Sequence, residues 1–495
     1  MYTHTVRLGF VIDQTACIGC HACTVACKAE NDVPVGSFRT WVTQLERGVY
    51  PDVKRSFLVQ RCNQCTDAPC VTICPVNALI KRPDGIVDVD RDLCIGCRAC
   101  MQACPYDAIY MNDGHGAVEK CHFCAHRVDR GLEPACVTVC PVSAIIPGDL
   151  DDPRSKASQL IRNVGTTVRR PEQGTGPNVF YIGADEAALK PGSAARPNTY
   201  FCSERPPQEP KEWPDSLPLE KDTIVVHDVA HRVEWGWPVA LYMVTKGIAA
   251  GVMMLAPFVA AFGVSGFAAN FGPEILALAF TSVTTFLLIE DLARPKLFYR
   301  LLTRANGRSW LVKGAVVLGA FTLLVLLSLA ARFAGLSFAA DILRWASAAL
   351  AVGVAGYTAF LYAQCKGRDL WESPLLLPHL LVQAILCGSA VLTLPFSGGG
   401  AAVSVFVASC LAHAALALLE RHRRQETDNA RQAAAFLGTV TLGPFRAFRD
   451  GLIIGVALPI LLVFVAPVAA AVLALLGLFL YEHAYVRAAQ LPPLS

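Results

Sequence analysis

Residues 94–105 read Cys94-Ile95-Gly96-Cys97-Arg98-Ala99-Cys100-Met101-Gln102-Ala103-Cys104-Pro105. Three cysteines spaced by two residues form a loop tight enough to offer three thiolates to three irons of one cubane. The fourth, set three residues further on and followed by proline, turns away toward a second cluster of a pair. Working outward, the same grammar recurs. Cys17, Cys20, Cys23 and Cys27 repeat the spacing, and Cys62, Cys65, Cys70 and Cys74 read C-x2-C-x4-C-x3-C-P. Cys121, Cys124, Cys136 and Cys140 read C-x2-C-x11-C-x3-C-P. Structural zinc uses separate C-x2-C pairs instead of triplets with a distal Cys-Pro. Disulfides need neither the proline nor the repetition. Sixteen of the 20 cysteines therefore make four sets of four. The small or apolar neighbours Ile18, Gly19, Ala22, Ile95, Gly96 and Ala99 let backbone N–H groups approach the sulfurs. The stretches Val76–Leu79 and Tyr106–Ile109 after the Cys-Pro pairs read as short turns leading into strands.

The 495 residues imply at least two domains. Up to about residue 235 the chain is polar and rich in Cys and Pro; beyond it Ala, Leu, Val, Phe and Gly dominate, and the 54% hydrophobic content places that half in a membrane. A net charge of +3 gives no sign of a nucleic-acid partner. Met1–Phe10 lacks an apolar core and a twin-arginine pair, so no export signal is expected. Between 184 and 232, seven prolines among charges read as an extended linker, with Cys202 a free thiol.

Eight apolar stretches follow, at roughly 238–263, 274–290, 309–331, 341–364, 374–396, 400–419, 450–465 and 467–487. The last two are short and share a turn at Pro467, so a re-entrant hairpin stays open beside two spans. Arg294, Lys296, Arg300, Arg304, Arg308, Lys366, Arg368, Arg421, Arg423, Arg424, Arg431, Arg446 and Arg449 gather on the face that carries the N-terminal domain, against Arg332 opposite. The positive-inside rule makes that face cytoplasmic, and the same charges also suit a docking surface. The expected fold is an α+β ferredoxin-like domain of two paired dicluster halves (1–183), the linker (184–232), and an all-α polytopic membrane bundle of about eight transmembrane helices (233–495).

From Phe10 to Gly183, including Arg170–Tyr181, the chain resembles the four-cluster ferredoxin subunits of molybdopterin oxidoreductases of the dimethyl sulfoxide, nitrate, polysulfide and formate type. The resemblance implies four [4Fe–4S] clusters, held by Cys17, Cys20, Cys23 with Cys140; by Cys121, Cys124, Cys136 with Cys27; by Cys62, Cys65, Cys70 with Cys104; and by Cys94, Cys97, Cys100 with Cys74. Lys28, where the other motifs have proline, departs from the pattern.

From Trp235 to about Gln490 the chain resembles the NrfD-like anchor of polysulfide-type reductases. The carrying segments are Trp235-Gly236-Trp237-Pro238 with Tyr242 and Gly247–Gly251, Asp291–Pro295 with Arg308-Ser309-Trp310, and Tyr357–Arg368 with Leu370-Trp371. This implies a quinone pocket on the ferredoxin side at Val239, Tyr242 and Tyr357. Tyrosine hydroxyls suit quinone carbonyl oxygens, and tyrosines at helix ends also serve as interfacial anchors. Lys246 falls about 12 Å past Pro238 inside an apolar helix, where a charge calls for a function and a partner. Glu290 and Asp291 are the expected counter-ions, and a paired or snorkelling lysine is the alternative. His379, Gln383, His413, Glu482 and His483 read as bundle hydrogen bonds or interface residues, Cys387 and Cys410 as packing residues, and Gly247 with Gly251 as a close helix contact.

The expected function is electron transfer between a separate molybdopterin-type catalytic subunit and quinone, menaquinone or ubiquinone, in a bacterial-type inner membrane. A redox-coupled proton-translocating module and a passive membrane anchor are the alternatives.

Overall fold

The computed structural model describes residues 6–195, 219–220, 222–395 and 400–495. Cys202 and most of the linker prolines lie outside them.

In the N-terminal domain, β1 (Leu8–Asp13) is followed by α1 (Ala22–Asn31), the hairpin β2 (Thr40–Val49) and β3 (Asp52–Arg61), and α2 (Pro69–Ile73). Then come β4 (Leu79–Lys81), β5 (Val87–Val89), α3 (Ala99–Ala103), β6 (Ile109–Asn112), β7 (Ala117–Lys120), α4 (Ala125–Val128), α5 (Ala135–Thr138) and β8 (Ile145–Asp149). Phe10, Val11 and Ile12 are fully buried, as befits a central strand covered on both faces. β1 pairs antiparallel with β8 and parallel with β9 (Val179–Ile182). That pairing joins the loop after β1, which carries the first cysteine motif, to the Cys-Pro turn before β8, which ends the fourth. The second and third motifs each run into a two-stranded hairpin, β4–β5 and β6–β7, and α2 packs on α3. The chain thus folds as two paired halves.

The expected linker carries structure at both described ends. After α6 (Lys156–Asn163), the helical turn α7 (Glu186–Leu189) packs against β3, and β10 (Thr223–His227) pairs antiparallel with β2. The Thr-Ile-Val-Val run of β10 is a β-branched strand sequence and completes the β10–β2–β3 sheet.

The membrane half contains α8 (Trp237–Leu255), α9 (Gly266–Asn270), α10 (Gly272–Glu290), α11 (Arg300–Thr303), α12 (Trp310–Phe333), α13 (Ser337–Ala363) and α14 (Leu376–Gly388). These are followed by α15 (Gly400–His422), α16 (Asp428–Phe436), α17 (Ala447–Leu452), α18 (Leu458–Leu462) and α19 (Pro467–Ala488). Among the described residues 6 helices are long and apolar enough to cross a membrane: α8 with its extension to Phe258, α10, α12, α13, α15 and α19. The other two expected spans are interrupted. α14 runs into a π turn at Ser389–Thr393, and a π turn at Ile453–Ala457 separates α17 from α18.

α8 is the central helix, touching α10, α13, α14 and α19. Its Gly251 lies directly against the backbone of α14, where a Cβ would collide with the Ala384 carbonyl and the Gly388 nitrogen. The G-x3-G spacing thus serves close helix packing. Leu323, Leu327, Phe338, Ile342 and Leu411 point outward, as lipid-facing side chains do.

Candidate functional site

Each cysteine loop is bent by left-handed residues ahead of its short helix. Gly19 (φ 67°) and His21 (φ 60°) precede α1, Gly96 (φ 71°) and Arg98 (φ 60°) precede α3, and Phe123 and Cys124 precede α4. Such turns aim successive backbone N–H groups inward and form an anion-binding concavity. Three backbone N–H groups around the cages already donate to sulfur: Gly96 N to Cys94 Sγ at 3.4 Å, Ala78 N to Cys74 Sγ at 3.3 Å and Ala144 N to Cys140 Sγ at 3.3 Å.

The sixteen cysteines gather in four sets. Cys17, Cys20, Cys23 and Cys140 line one cavity. Cys27, Cys121, Cys124 and Cys136 line a second, with Asn31, Arg39 and Arg61. Cys74, Cys94, Cys97 and Cys100 line a third. Cys62, Cys65, Cys70 and Cys104 are close enough for each thiol to feel the charge of others in the set. In every set the fourth cysteine comes from the partner motif, the grouping that the family resemblance implies.

Burial pushes the Cys23 thiol up to about 11 and that of Cys104 up to about 12. Burial, with neighbouring thiolates added, raises Cys27 and Cys65 still further. Thiols crowded in this way are held as thiolates only by a strong local cation. Four converging thiolates at a cavity rimmed by N–H donors match the ligand chemistry of a [4Fe–4S] cubane, so the residues present fit that group.

The third set faces the membrane half. Ala293 N and Arg294 N donate to the carbonyls of Gly96 and Ile95, both at 3.3 Å. The Arg294 side chain donates to the carbonyls of His115 (2.7 Å), Arg91 (2.7 Å) and Cys94 (3.2 Å). Asn306 Nδ2 donates to the Cys74 carbonyl at 2.8 Å, Gly367 N to the Gln102 carbonyl at 3.1 Å, and Arg368 Nε to Gln102 Oε1 at 2.8 Å. Arg300 donates to the Asp92 carbonyl. Several of the basic loop residues are therefore docking groups. One continuous apolar core runs from the second and third cysteine motifs through Trp235, Val239, Tyr242, Tyr362 and Trp371 into the bundle. The sequence carries no signal for the stack within it, in which Trp371 lies 5.5 Å from Trp235 and 4.4 Å from Tyr362 between ring centroids.

Val239, Tyr242, Lys246 and Tyr357 are all buried. Lys246 Nζ lies 4.6 Å from the centre of the Tyr357 ring, donates to the Ala355 carbonyl at 3.4 Å and contacts Thr358 Oγ1. Gly314 on α12 makes room for that ring, since a Cβ there would strike it. The expected counter-ions of Lys246 are not its neighbours. Glu290 is exposed, and the Asp291 carboxylate faces Arg98 across the domain junction, 3.9 Å between charged atoms. The carboxylate sharing a cavity with Lys246 is Glu482 on α19, whose Oε1 accepts from Gln383 Nε2 at 2.6 Å. His379 and His413 bond each other at 2.8 Å, and His483 is buried on α19.

Known families match both halves of the chain. Residues 53–150 match the 4Fe-4S dicluster domain, residues 14–31 a 4Fe-4S binding domain, and residues 226–491 the family described as polysulphide reductase, NrfD. The chain is 44% identical over 189 residues to a tetrathionate reductase subunit of Salmonella typhimurium, covering 37% of this chain and 76% of that protein. It is 42% identical over 179 residues to a polysulfide reductase component of Wolinella succinogenes, covering 36% and 94%. To the arsenate respiratory reductase iron-sulfur subunit ArrB of a Shewanella species it is 39% identical over 225 residues, covering 36% and 96%. With one family spanning more than half its length and iron–sulfur domains ahead of it, the chain belongs to the NrfD polysulphide reductase family, its membrane domain fused to an iron–sulfur electron-transfer domain.

Proposed function

We propose that this chain carries electrons between a separate, molybdopterin-type catalytic subunit and membrane quinone, menaquinone or ubiquinone. It does so through four [4Fe–4S] clusters held by the sixteen cysteines in the four sets described. When bound, each cluster supplies a one-electron relay. Residues 1–183 hold the relay, 184–232 link it, and 233–495 bind quinone in the inner membrane. The observation that carries this reading is the continuous apolar core between the cage of Cys74, Cys94, Cys97 and Cys100 and the helix ends bearing Val239, Tyr242 and Tyr357. Tyr242 and Tyr357 donate to the quinone oxygens, and the Trp235, Tyr362 and Trp371 stack excludes water.

At the other end, Cys20 is exposed and Ile18, Val139 and Val142 form an apolar rim around the first cage. That rim is the docking face for the catalytic subunit. The ferredoxin domain lies on the cytoplasmic side. Lys296, Arg421, Arg423 and Arg424 add positive charge to its face beyond the arginines that dock it.

In purified membranes, quinol is expected to reduce the clusters, read as EPR signals. Silence with intact clusters overturns the reading. Unchanged quinone kinetics in Tyr242→Phe and Tyr357→Phe would leave the membrane half as a passive anchor. Protease protection of the ferredoxin domain in right-side-out vesicles, and its cleavage in inverted ones, tests the orientation. A second reading, redox-coupled proton translocation, is favoured by Lys246, Gln383 and Glu482 around one buried cavity. Proton uptake unaffected by Lys246→Met would remove Lys246 from it.

A further inference from the structure

Arg61 ends β3 immediately before Cys62, and alternation along the strand sends the two side chains to opposite sides. Cys62 joins the set with Cys65, Cys70 and Cys104. Arg61 enters the space beside the other two membrane-distal cages and is only 1% exposed. Its Nη1 donates to Cys136 Sγ at 3.3 Å, and it lines the cavity of Cys27, Cys121, Cys124 and Cys136. Its guanidinium carbon sits 4.5 Å from the centre of the Phe10 ring, which stacks on Phe123 at 4.1 Å. Cys23, of the first cage, feels the same positive charge. Nε and Nη2 of Arg61 have no hydrogen-bond partner, and among the described residues no carboxylate pairs with it.

A buried guanidinium stays charged, and without a carboxylate it is costly unless another anion stands beside it. The anions here are the thiolate sets on either side, provided they hold clusters as proposed above, on which this inference rests. Reduction adds a negative charge to a cluster, and a fixed neighbouring cation stabilises that charge. The membrane-side cage differs, because Arg98, which lines it, is paired with Glu234 at 3.1 Å and Asp291 at 3.9 Å.

We propose that Arg61 sets the reduction potentials of two clusters, donating to the Cys136 sulfur of the one held by Cys27, Cys121, Cys124 and Cys136 and acting through space on the one held by Cys17, Cys20, Cys23 and Cys140. It is a positioning and tuning residue, with no direct part in quinone chemistry.

The test is an EPR-monitored redox titration of the full-length, iron-loaded protein carrying Arg61→Gln or Arg61→Lys. In Arg61→Gln the reduction equilibrium of those two clusters shifts about tenfold toward the oxidised form, which is about 59 mV for a one-electron couple. The other two clusters stay put. Arg61→Lys, which keeps the charge, recovers at least half of the shift. Full iron content with unshifted potentials, equal shifts in all four clusters, or a lysine variant shifted as far as the glutamine one would each overturn the proposal. Should Arg61→Gln lose iron, wild-type protein labelled with 15N-arginine decides. Its reduced clusters show a weak 15N coupling by pulsed EPR, and the absence of that coupling overturns the proposal. Low iron in the wild type would instead sink the underlying cluster reading.

Discussion

A Cβ built on Gly96, in the third cysteine loop, would lie 2.5 Å from the Cβ of Ala293 in the loop that follows α10. The ferredoxin and membrane halves thus meet through a glycine that has no room for one more carbon. Gly96→Ala meets two penalties: a left-handed backbone costing about 1–2 kcal/mol, and overpacking against Ala293 and the Gly116 carbonyl costing about 1–3 kcal/mol. The variant is expected to melt at lower temperature and to slow quinol-driven cluster reduction at least about tenfold, read by stopped-flow absorbance. Gly19 is the internal control. It holds the same place in the first loop (φ 67°) but packs on Phe57 within the ferredoxin domain, so Gly19→Ala destabilises that domain without touching the junction.

Asn306 clamps the junction from the membrane side. Its Nδ2 serves the carbonyls of Val71 (3.3 Å), Thr72 (3.3 Å) and Cys74 (2.8 Å), and its backbone N donates to the Pro75 carbonyl at 3.0 Å. Asn306→Ala strips the side-chain donor from three acceptors at a half-buried contact, a loss of about 0.5–1.5 kcal/mol. Limited proteolysis in detergent should then release the ferredoxin domain at lower urea than in the wild type. An unchanged release midpoint would show that the clamp contributes nothing.

The cysteine sets are legible in the sequence because their chemistry is local: three thiolates within one loop announce a cluster whatever surrounds them. Which fourth cysteine joins each triplet is a long-range fact. The pairing of β1 with β8 brings Cys140 to Cys17, and no local spacing encodes that. The partner of Lys246 escapes a sequence reading for the same reason. Glu290 ends α10 and Asp291 follows it, close in sequence to α8, whereas Glu482 reaches the cavity from the far end of the chain on α19. Apolar runs reveal the membrane segments but not their continuity, since the π turns after α14 and α17 depend on tertiary packing. The clustered arginines read as a topology signal, and Arg294, Arg300 and Arg368 also hold backbone carbonyls and a glutamine of the ferredoxin domain.

Asp291 gives the junction a pH dependence. Burial, opposed by the Arg98 guanidinium, lifts its carboxyl from 3.8 to about 6. Because the folded value lies above the unfolded one, the stabilising contribution of this group is fully present below the unfolded pKa and is lost as pH rises through about 6. The change is on the order of 3 kcal/mol. Asp291→Asn, neutral throughout, should flatten that part of the melting-temperature profile. Arg98 keeps its bond to the Asp291 backbone carbonyl, at 2.8 Å, in either case. A variant profile that still falls through the same window would place the titrating group elsewhere.

Lys246 and Glu482 offer a cleaner separation of structure from chemistry. The two face one cavity, Glu482 Oε1 is held by Gln383, and its Oε2 has no partner among the described residues. Removing one member of a buried pair leaves the other charge uncompensated, whereas removing both relieves the cost. Lys246→Met and Glu482→Gln are each expected to lower the thermal stability of the detergent-solubilised protein. The double variant should be less impaired than the two losses summed, with a coupling of at least about 1 kcal/mol. Strict additivity would mean that the two do not interact. If the coupling holds while quinol oxidation in the double variant runs at the wild-type rate, the pair is structural, because a proton relay through this cavity cannot survive the loss of both its ionisable groups.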